Sequence, residues 1–264
     1  MTLKEEFFAR GKLADCPIHD LHGHMGPFFG GLLHDTDPAD MVAAMARAGV
    51  HLVVFCHHDA LFNSSIGNRV NIEAVRRFPD RLRAWCGLNP NFPDVLEQDV
   101  ASFDTHADVY AGFKMLSDYH LISITDARYA SAWTHADQRN LPVLLHTWGG
   151  SPYDGPEPIR TVAERYPHAQ ILLGHSCHGE WDKAIQLAKD FPAISLDLCA
   201  VMDERGILER FVDELGAERI FFGTDIPWFN HHYYIGAVLG SGISDDDCRK
   251  IFYQNARRIL HLSL

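Results

Sequence analysis

Two histidines near the start of the chain, His22 and His24 in the segment DLHGHMG, have the residue type and spacing of a metal site. Residues two apart on a β-strand point to the same face, so both imidazoles of such a strand can reach one point. Neutral imidazole is a common ligand of zinc and other first-row divalent ions. The first chemistry to consider is therefore that of a bound divalent ion.

Three further polar residues end apolar runs elsewhere in the chain: His146 in LPVLLHTW, His175 in ILLGHSCHG and Asp225 in IFFGTDIPW. A single histidine after an apolar strand is more commonly a core or surface residue. Here the coincidence recurs at several strand ends, and imidazole and carboxylate together suit zinc or a similar ion. Catalytic zinc has three or more protein ligands and keeps a position for water. The pattern therefore predicts a catalytic metal site.

Such a site needs a fold that brings distant strand ends together. Short β-branched and apolar runs alternate with amphipathic stretches of helical period, which is typical of βα units on a parallel sheet. Strands are predicted near residues 17–22, 51–56, 82–88, 109–115, 141–146, 170–174, 193–198 and 219–223. Helices are predicted near residues 38–48, 66–78, 94–103, 125–138, 157–166, 180–190, 204–215 and 231–239, with a further helix pair that starts at Ser244.

Eight strand–helix repeats without a linker predict one α/β domain, residues 1–264, that folds as a (β/α)8 TIM barrel with extra C-terminal helices. A doubly wound sheet is the alternative. It is less favoured because the chain contains no GxGxxG turn. In a barrel, the active site forms at the carboxyl ends of the strands, which is where the five candidate residues lie.

Composition excludes several other functions. The net charge of −12 argues against a surface that follows the phosphates of nucleic acid, and no apolar run is long enough to span a membrane. The six cysteines form no CxxC pair, so reduced thiols and a cytoplasmic location are expected. The N-terminal segment MTLKEE is acidic, unlike a signal peptide. A small-molecule substrate is the expected partner.

Longer motifs resemble one family. Besides HxH, they are NIEAVRRFPDRLRAWCGLNP at residues 71–90, GFKML at 112–116, LPVLLH, ILLGH, FFGTDIPW and NARRIL at 255–260. With these motifs the chain resembles the amidohydrolase superfamily, specifically its Amidohydrolase 2 branch, which includes aminocarboxymuconate-semialdehyde decarboxylase. The resemblance covers nearly the whole chain. It implies a TIM barrel of the metal-dependent hydrolase type, often found as a homodimer.

The resemblance also implies roles for the candidate residues. His22, His24, His146 and Asp225 would hold a single divalent ion, with His175 near the bound water. Zinc is the expected ion, with manganese, iron or cobalt as alternatives. The family commonly has His-x-Gly-Gly on the sixth strand, whereas this chain has HSCHG, which makes His178 an additional candidate for substrate contact.

Lys114 lies on the fourth predicted strand, where some superfamily relatives have a carboxylated lysine that bridges two metals. The overall pattern resembles the one-metal branch, so an unmodified Lys114 that contacts substrate or Asp225 is favoured, and the two-metal alternative stays open. Phe28, Trp148 and Trp228 follow three of the strands. We interpret them as an apolar wall around a flat or cyclic substrate, with simple plugging of the barrel mouth as the alternative.

Two reactions fit these residues. In the first, metal-activated water hydrolyses a small carboxylic ester, lactone or amide, Asp225 accepts the proton, and His175 stabilises the oxyanion. In the alternative, the ion anchors an aromatic or muconate-like carboxylic acid that loses CO2 without oxidation. No arginine ends a predicted strand where it could bind a carboxylate, which favours hydrolysis. A metal-binding barrel without catalysis is a third alternative, although none of the five candidate positions is lost.

Overall fold

Eight parallel strands in sequential order, with helices between them, form the sheet of this protein in the computed structural model, which describes residues 1–262. The strands are β1 (Ile18–Met25), β2 (Val50–His57), β3 (Leu82–Leu88), β4 (Tyr110–Met115), β5 (Pro142–Trp148), β6 (Gln170–His178), β7 (Ile194–Asp197) and β8 (Ile220–Phe221). All eight lie where the sequence predicts them. The predicted domain range of 1–264 also includes residues 263 and 264, which lie outside the described residues.

One helix precedes the first strand, and the others connect successive strands or follow the last one. They are α1 (Leu3–Arg10), α2 (Pro38–Ala48), α3 (His58–Phe62), α4 (Ser64–Arg77), α5 (Pro93–Ser102), α6 (Ser117–His120), α7 (Ala130–Arg139), α8 (Pro156–Arg165), α9 (Trp181–Asp190), α10 (Ile207–Leu215), α11 (His231–Gly240), α12 (Asp245–Arg249) and α13 (Asn255–Ile259). Local chemistry explains their limits. For α2, the Asp37 carboxylate accepts a hydrogen bond from the backbone of Ala39, and Gly49 ends the helix in the left-handed region.

The sheet closes into a barrel between its first and last strands. The backbone N–H of Leu21 donates to the carbonyl of Phe222 at 2.9 Å. Beyond β8, the N–H of Asp225 donates to the carbonyl of His22 at 2.7 Å, and the N–H of His24 donates to that of Ile226 at 2.6 Å. The predicted (β/α)8 barrel is therefore confirmed, and its seam runs through three of the candidate ligands, His22, His24 and Asp225.

Alternate strand residues divide between two apolar clusters. On β2, Val53 and Phe55 pack in the larger cluster together with residues of the surrounding helices, whereas Val54 belongs to a smaller one. The smaller cluster contains Leu21, Leu52, Val54, Cys56, Trp85, Leu144, Leu172 and Phe221, contributed by strands around the whole sheet. It fills the lumen below the active-site end, as expected for a packed TIM-barrel interior.

The C-terminal segment differs from its prediction. Instead of a helix pair, α12 and α13 are joined by a π-helical segment, Lys250–Gln254, in one uninterrupted helical run. No glycine or proline occurs between residues 245 and 259, so nothing in the chain ends the helix there. The N-cap at Ser244 is as predicted, because its hydroxyl accepts a hydrogen bond from the backbone N–H of Asp247.

Within residues 1–262, no helix combines the length and the apolar character needed to cross a membrane.

Candidate active site

His22, His24 and Asp225 come together at the barrel seam. Nε2 of His24 lies 3.1 Å from Oδ1 of Asp225, and Nε2 of His22 lies 3.7 Å from the same oxygen. The three ligand atoms all lie within 4.8 Å of one another. Both histidines are side chains of β1, and Asp225 follows β8, so the seam hydrogen bonds hold all three in register.

Hydrogen bonds on the outer side orient both imidazoles. Nδ1 of His24 donates to the backbone carbonyl of Cys56 at 3.1 Å, because a carbonyl can only accept. Nδ1 of His22 lies 3.4 Å from Oδ1 of the buried Asp197. Each ring therefore presents Nε2 towards Asp225. This is the arrangement that metal-binding histidines commonly have, and the donor set of imidazoles and a carboxylate fits a first-row divalent ion.

Two glycines make room for His22. A β-carbon on Gly174 would lie 2.9 Å from Cε1 of His22, and one on Gly223 would lie 2.8 Å from Cβ of His22 and 2.3 Å from Oδ2 of Asp197. Any side chain at either position would displace the imidazole. The glycines of LLGH and FFGTD are thus required by the site, and they are a sequence signal for it.

Asp20 joins the two sides of the seam. Its buried carboxylate accepts hydrogen bonds from the backbone N–H of His22 at 3.0 Å, from the backbone and hydroxyl of Thr224, and from Nε2 of His231 at 3.1 Å. The sequence reasoning did not identify this network, because it involves residues more than 200 positions apart.

His146 lies in the same cavity but apart from the close group of three. Its ring centroid is 4.8 Å from that of His175, and its Nδ1 is 3.4 Å from Oδ2 of the buried Asp154. Asp154, which sequence reasoning missed, therefore orients His146 with Nε2 free. The fourth predicted ligand is thus present and oriented, and its binding to a metal stays a prediction.

His175 lies beside His22, with ring centroids 5.0 Å apart, and starts a short left-handed stretch of β6. The φ angles of His175, Ser176 and Cys177 are 66°, 49° and 52°. Left-handed backbone is unfavourable for such residues and is concentrated at functional sites. Nδ1 of His175 lies 3.1 Å from Sγ of Cys199, so a second group of His22, His175 and Cys199 also has ligand atoms within 4.8 Å. Cys199 was not identified from the sequence.

Lys114 is almost completely buried, with 1% of its surface exposed, and it points into the lumen. Its Nζ is 3.0 Å from Nε2 of His22. Burial lowers the pKa of this lysine from its ordinary value. Lys114 was predicted to contact substrate or Asp225; its hydrogen bond in the structure is to His22, and its contact with substrate stays a prediction.

Burial also sets the protonation of the other groups. It lowers the pKa of His22 and His175 well below the ordinary value, so both rings are neutral. Burial alone would raise the pKa of Asp225, but its close contact with His24 and the neighbouring imidazoles hold this pKa well below its usual range. Burial raises the pKa of Cys199 well above the ordinary value, so this thiol keeps its proton. Neutral imidazoles and an ionised carboxylate are the forms that bind metal.

A cavity of about 460 Å³ opens above these groups. Its walls are rich in aromatic rings: the lining comprises His24, Phe28, His58, Leu61, Lys114, Leu116, Tyr119, His146, Trp148, His175, Ala200, Asp225, Trp228 and Phe229. Phe28 and Trp228 meet edge to face with centroids 4.9 Å apart, and the indole N–H of Trp228 donates to Nε2 of His58 at 3.1 Å. The three aromatic residues predicted for the wall therefore line the cavity.

His178 is placed behind this wall. It stacks on Trp148 with centroids 4.4 Å apart, and its Nδ1 donates to the carbonyl of Ala200 at 2.8 Å. His178 is not among the residues that line the cavity. The structure thus gives it a role in holding Trp148, which does face the cavity.

We expect His178→Ala to change substrate preference without loss of metal, because Trp148 would lose its stacking partner. The ratio of kcat/KM between a narrow and a wide substrate should change about tenfold, in line with the effect of one small group on pocket fit. Metal content should remain at the wild-type level, as a metal analysis would show. An unchanged ratio would contradict the role given to His178.

Comparisons with known proteins agree with this fold. A family model described as Amidohydrolase matches residues 14–262. No curated protein matches the chain by sequence. Similar solved structures include 2,6-dihydroxybenzoate decarboxylase complexed with 2,6-dihydroxybenzoate (TM-score 0.73, 16% identity, 95% of this chain and 99% of that chain covered).

A second similar structure is 5-carboxyvanillate decarboxylase from Sphingomonas paucimobilis (TM-score 0.71, 14% identity, 94% of this chain and 100% of that chain covered). A third is a dihydroxybenzoic acid decarboxylase from a Polaromonas species with bound manganese and the inhibitor 2-nitroresorcinol (TM-score 0.71, 18% identity, 94% of this chain and 97% of that chain covered).

These comparisons overturn the prediction that hydrolysis is the main activity. The similar structures that are named for a reaction on a stated acid are decarboxylases. The prediction rested on the lack of an arginine at a strand end. That prediction considered arginines only, and the structure places a buried basic side chain, Lys114, in the lining of the cavity.

Proposed function

The chain belongs to the amidohydrolase family, and from that membership we propose that it is a metal-dependent decarboxylase of a small aromatic carboxylic acid. One observation carries the proposal: a buried lysine, Lys114, lies in an aromatic-walled cavity beside the group of His22, His24 and Asp225. In the part of the chain that the structure describes, Lys114 is the only lysine or arginine in the lining. A flat acid with a single carboxylate matches that lining.

We assign one divalent ion to this site, held by His22, His24 and Asp225, with His146 as the fourth ligand. Zinc is our first choice because three of the four donors are imidazoles. Manganese, which two of the similar decarboxylase structures contain, is the alternative that metal analysis would distinguish. When bound, the ion supplies a positive charge that draws electron density from the oxygen atoms of the substrate.

The residues of the chain then have three tasks: they orient the substrate carboxylate, exclude water and deliver a proton. Lys114 pairs with the substrate carboxylate and orients it. Phe28, Trp148 and Trp228 cover the faces and edges of the aromatic ring and exclude water, which strengthens every electrostatic interaction in the cavity. The bond between the ring carbon and the carboxylate breaks, CO2 leaves, and the electron pair that stays on the ring takes up a proton.

That proton comes from water, and two residues are placed to handle it. The carboxylate of Asp225 can take a proton from water and pass it to the ring carbon, while solvent neutralises the hydroxide that remains, and His175 faces the same cavity. Proton transfer by a positioned side chain contributes typically about 10²–10⁴-fold to a rate. We therefore assign Asp225 and His175 as the catalytic pair of the proposed reaction.

Replacement of Lys114 by methionine keeps most of the side-chain volume and removes the charge. We expect KM for an aromatic acid to rise about 10- to 100-fold, because a hydrogen bond to a charged group contributes about 1.5–3 kcal/mol. Steady-state kinetics measure the change, and the exposed Lys183 provides a matched Lys→Met control. A KM within twofold of wild type would show that Lys114 does not bind the carboxylate.

The proposed function is tested by supplying the metal-loaded protein with 2-hydroxybenzoate, 2,6-dihydroxybenzoate and 5-carboxyvanillate. We expect CO2 and the matching phenol in equal amounts, with the two monocarboxylates preferred because the lining offers one cation. Metal-stripped protein is the control. Failure of the loaded protein to release CO2 from any aromatic acid would contradict the proposal.

A further inference from the structure

Cys199 is buried beside the catalytic pair and has no part in the mechanism described so far. It follows β7, none of its surface is exposed, and its Sγ lies 3.1 Å from Nδ1 of His175. The loop that carries it is firmly held. The backbone N–H of Cys199 donates to Oδ1 of Asp197 at 2.7 Å, and that of Ala200 donates to the hydroxyl of Tyr234 at 2.7 Å.

The backbone around His175, on the other side of the contact with Cys199, is also held by hydrogen bonds. The hydroxyl of Ser176 donates to the backbone carbonyl of Asp197 at 2.7 Å, and the N–H of Cys177 donates to the hydroxyl of Thr147 at 2.9 Å. These bonds anchor the left-handed stretch that begins at His175. The thiol and the imidazole are therefore held together by their own backbones.

The partner of His175 differs in kind from the partners of the neighbouring histidines. Around the cavity, Nδ1 of His24, His58 and His178 contacts a backbone carbonyl, and Nδ1 of His22 and His146 contacts a carboxylate. A carbonyl can only accept, so the rings of His24, His58 and His178 carry their proton on Nδ1. A thiol can also donate.

We infer that the Cys199 thiol donates to Nδ1 of His175 and so fixes this one imidazole with its proton on Nε2. Sulfur is a weak acceptor, and within residues 1–262 no side chain other than His175 is recorded as a partner of this thiol. Donation by the thiol therefore satisfies both groups, whereas donation by the ring would leave the thiol hydrogen unpaired in a buried site.

The histidines around the cavity therefore present two different groups to it. Rings protonated on Nδ1 offer a lone pair on Nε2 to a metal ion, whereas His175 offers an N–H to the cavity. That N–H can bond to an anionic oxygen of the substrate beside Lys114. Cys199 is thus a positioning residue that acts through His175, and this ligand assignment rests on the proposed function.

The tautomer of His175 can be measured without turnover. In protein labelled with 15N-histidine, nitrogen chemical shifts show which ring nitrogen carries the proton, and the His175 signals are assigned by their loss in His175→Gln. We expect Nε2–H in the wild-type protein and in Cys199→Ser, which keeps a donor. A wild-type His175 with its proton on Nδ1 would overturn the inference.

Binding gives a second measurement. For the metal-loaded protein, we expect Cys199→Ala to raise the Kd of 2-hydroxybenzoate about tenfold, the size expected for one hydrogen bond to a carboxylate, and Cys199→Ser to stay within about threefold of wild type. Cys248→Ala, which removes another buried thiol that does not line the cavity, should leave the Kd unchanged. If the Cys199→Ala protein binds 2-hydroxybenzoate as tightly as the Cys199→Ser protein does, Cys199 has a packing role only and the inference fails.

A measurement of metal content distinguishes hydrogen-bond donation by Cys199 from metal binding by its thiol. His22, His175 and Cys199 lie close enough to hold an ion themselves. We expect Cys199→Ala to retain the wild-type amount of metal, and a loss would make the thiol a ligand and overturn the inference. A protein that releases no CO2 but has Nε2–H at His175 would contradict the proposed function and support this inference.

Discussion

Replacement of Asp225 by asparagine is expected to remove most of the bound metal and to lower CO2 release at least 100-fold. The carboxylate lies 3.1 Å from Nε2 of His24 and 3.7 Å from that of His22, and it supplies the only negative charge in this group of three. An amide of the same shape lacks the charge and cannot accept a proton from water. Loss of general acid–base catalysis alone accounts for about 10²–10⁴-fold.

Metal analysis and CO2 measurement on the same preparation test this prediction. Asp108→Asn, at an exposed carboxylate, is the matched control. His22→Ala should lose metal in the same way, because it removes one of the two imidazoles that face Asp225. Wild-type metal content and turnover in both variants would exclude the assigned site.

A second large effect is expected on stability. Asp20→Ala should lower the free energy of unfolding by about 3–5 kcal/mol, the range for removal of one partner from a buried charged network. The substitution leaves the hydroxyl of Thr224, the ring of His231 and two backbone N–H groups without their acceptor in a buried region. Urea unfolding, monitored by tryptophan fluorescence, measures the loss.

Asp15→Ala, which removes an exposed aspartate from the segment before β1, is the control and should change stability by less than about 0.5 kcal/mol. Because Asp20 bonds to both β1 and the segment after β8, its loss should also loosen the seam that aligns His22 with Asp225. A stable Asp20→Ala protein with normal metal content would show that the seam is held by other contacts.

Much of the fold could be predicted because βα repeats leave a local pattern. Apolar β-branched runs such as HLVVFC give β2, and caps such as Asp37 and Gly49 set helix limits. The errors lie where local signals are weak. The run from Asp245 to Ile259 has no residue that ends a helix, so the predicted helix pair is one continuous helical run. The short helices α3 and α6 have too few residues to show a helical period in the sequence.

The candidate ligands could be located for a similar reason. In a barrel, every strand delivers its carboxyl end to the same face, so His22, His24 and Asp225 had to meet once the fold was known. His146 and His175 reach the same cavity by the same rule. No comparable rule exists for Cys199, Asp154 or Asp20, whose importance arises from single contacts made by side chains after folding.

The amino-acid sequence by itself therefore determined the barrel, the strand order and which polar side chains lie at its active-site end, because these follow from periodicity along the chain. Only the tertiary structure decided that Lys114 is buried beside His22, that Trp148 rather than His178 faces the cavity, and that a thiol contacts His175. Contacts of this kind depend on the packing of residues far apart in sequence, where a shift of about one ångström makes or removes a hydrogen bond.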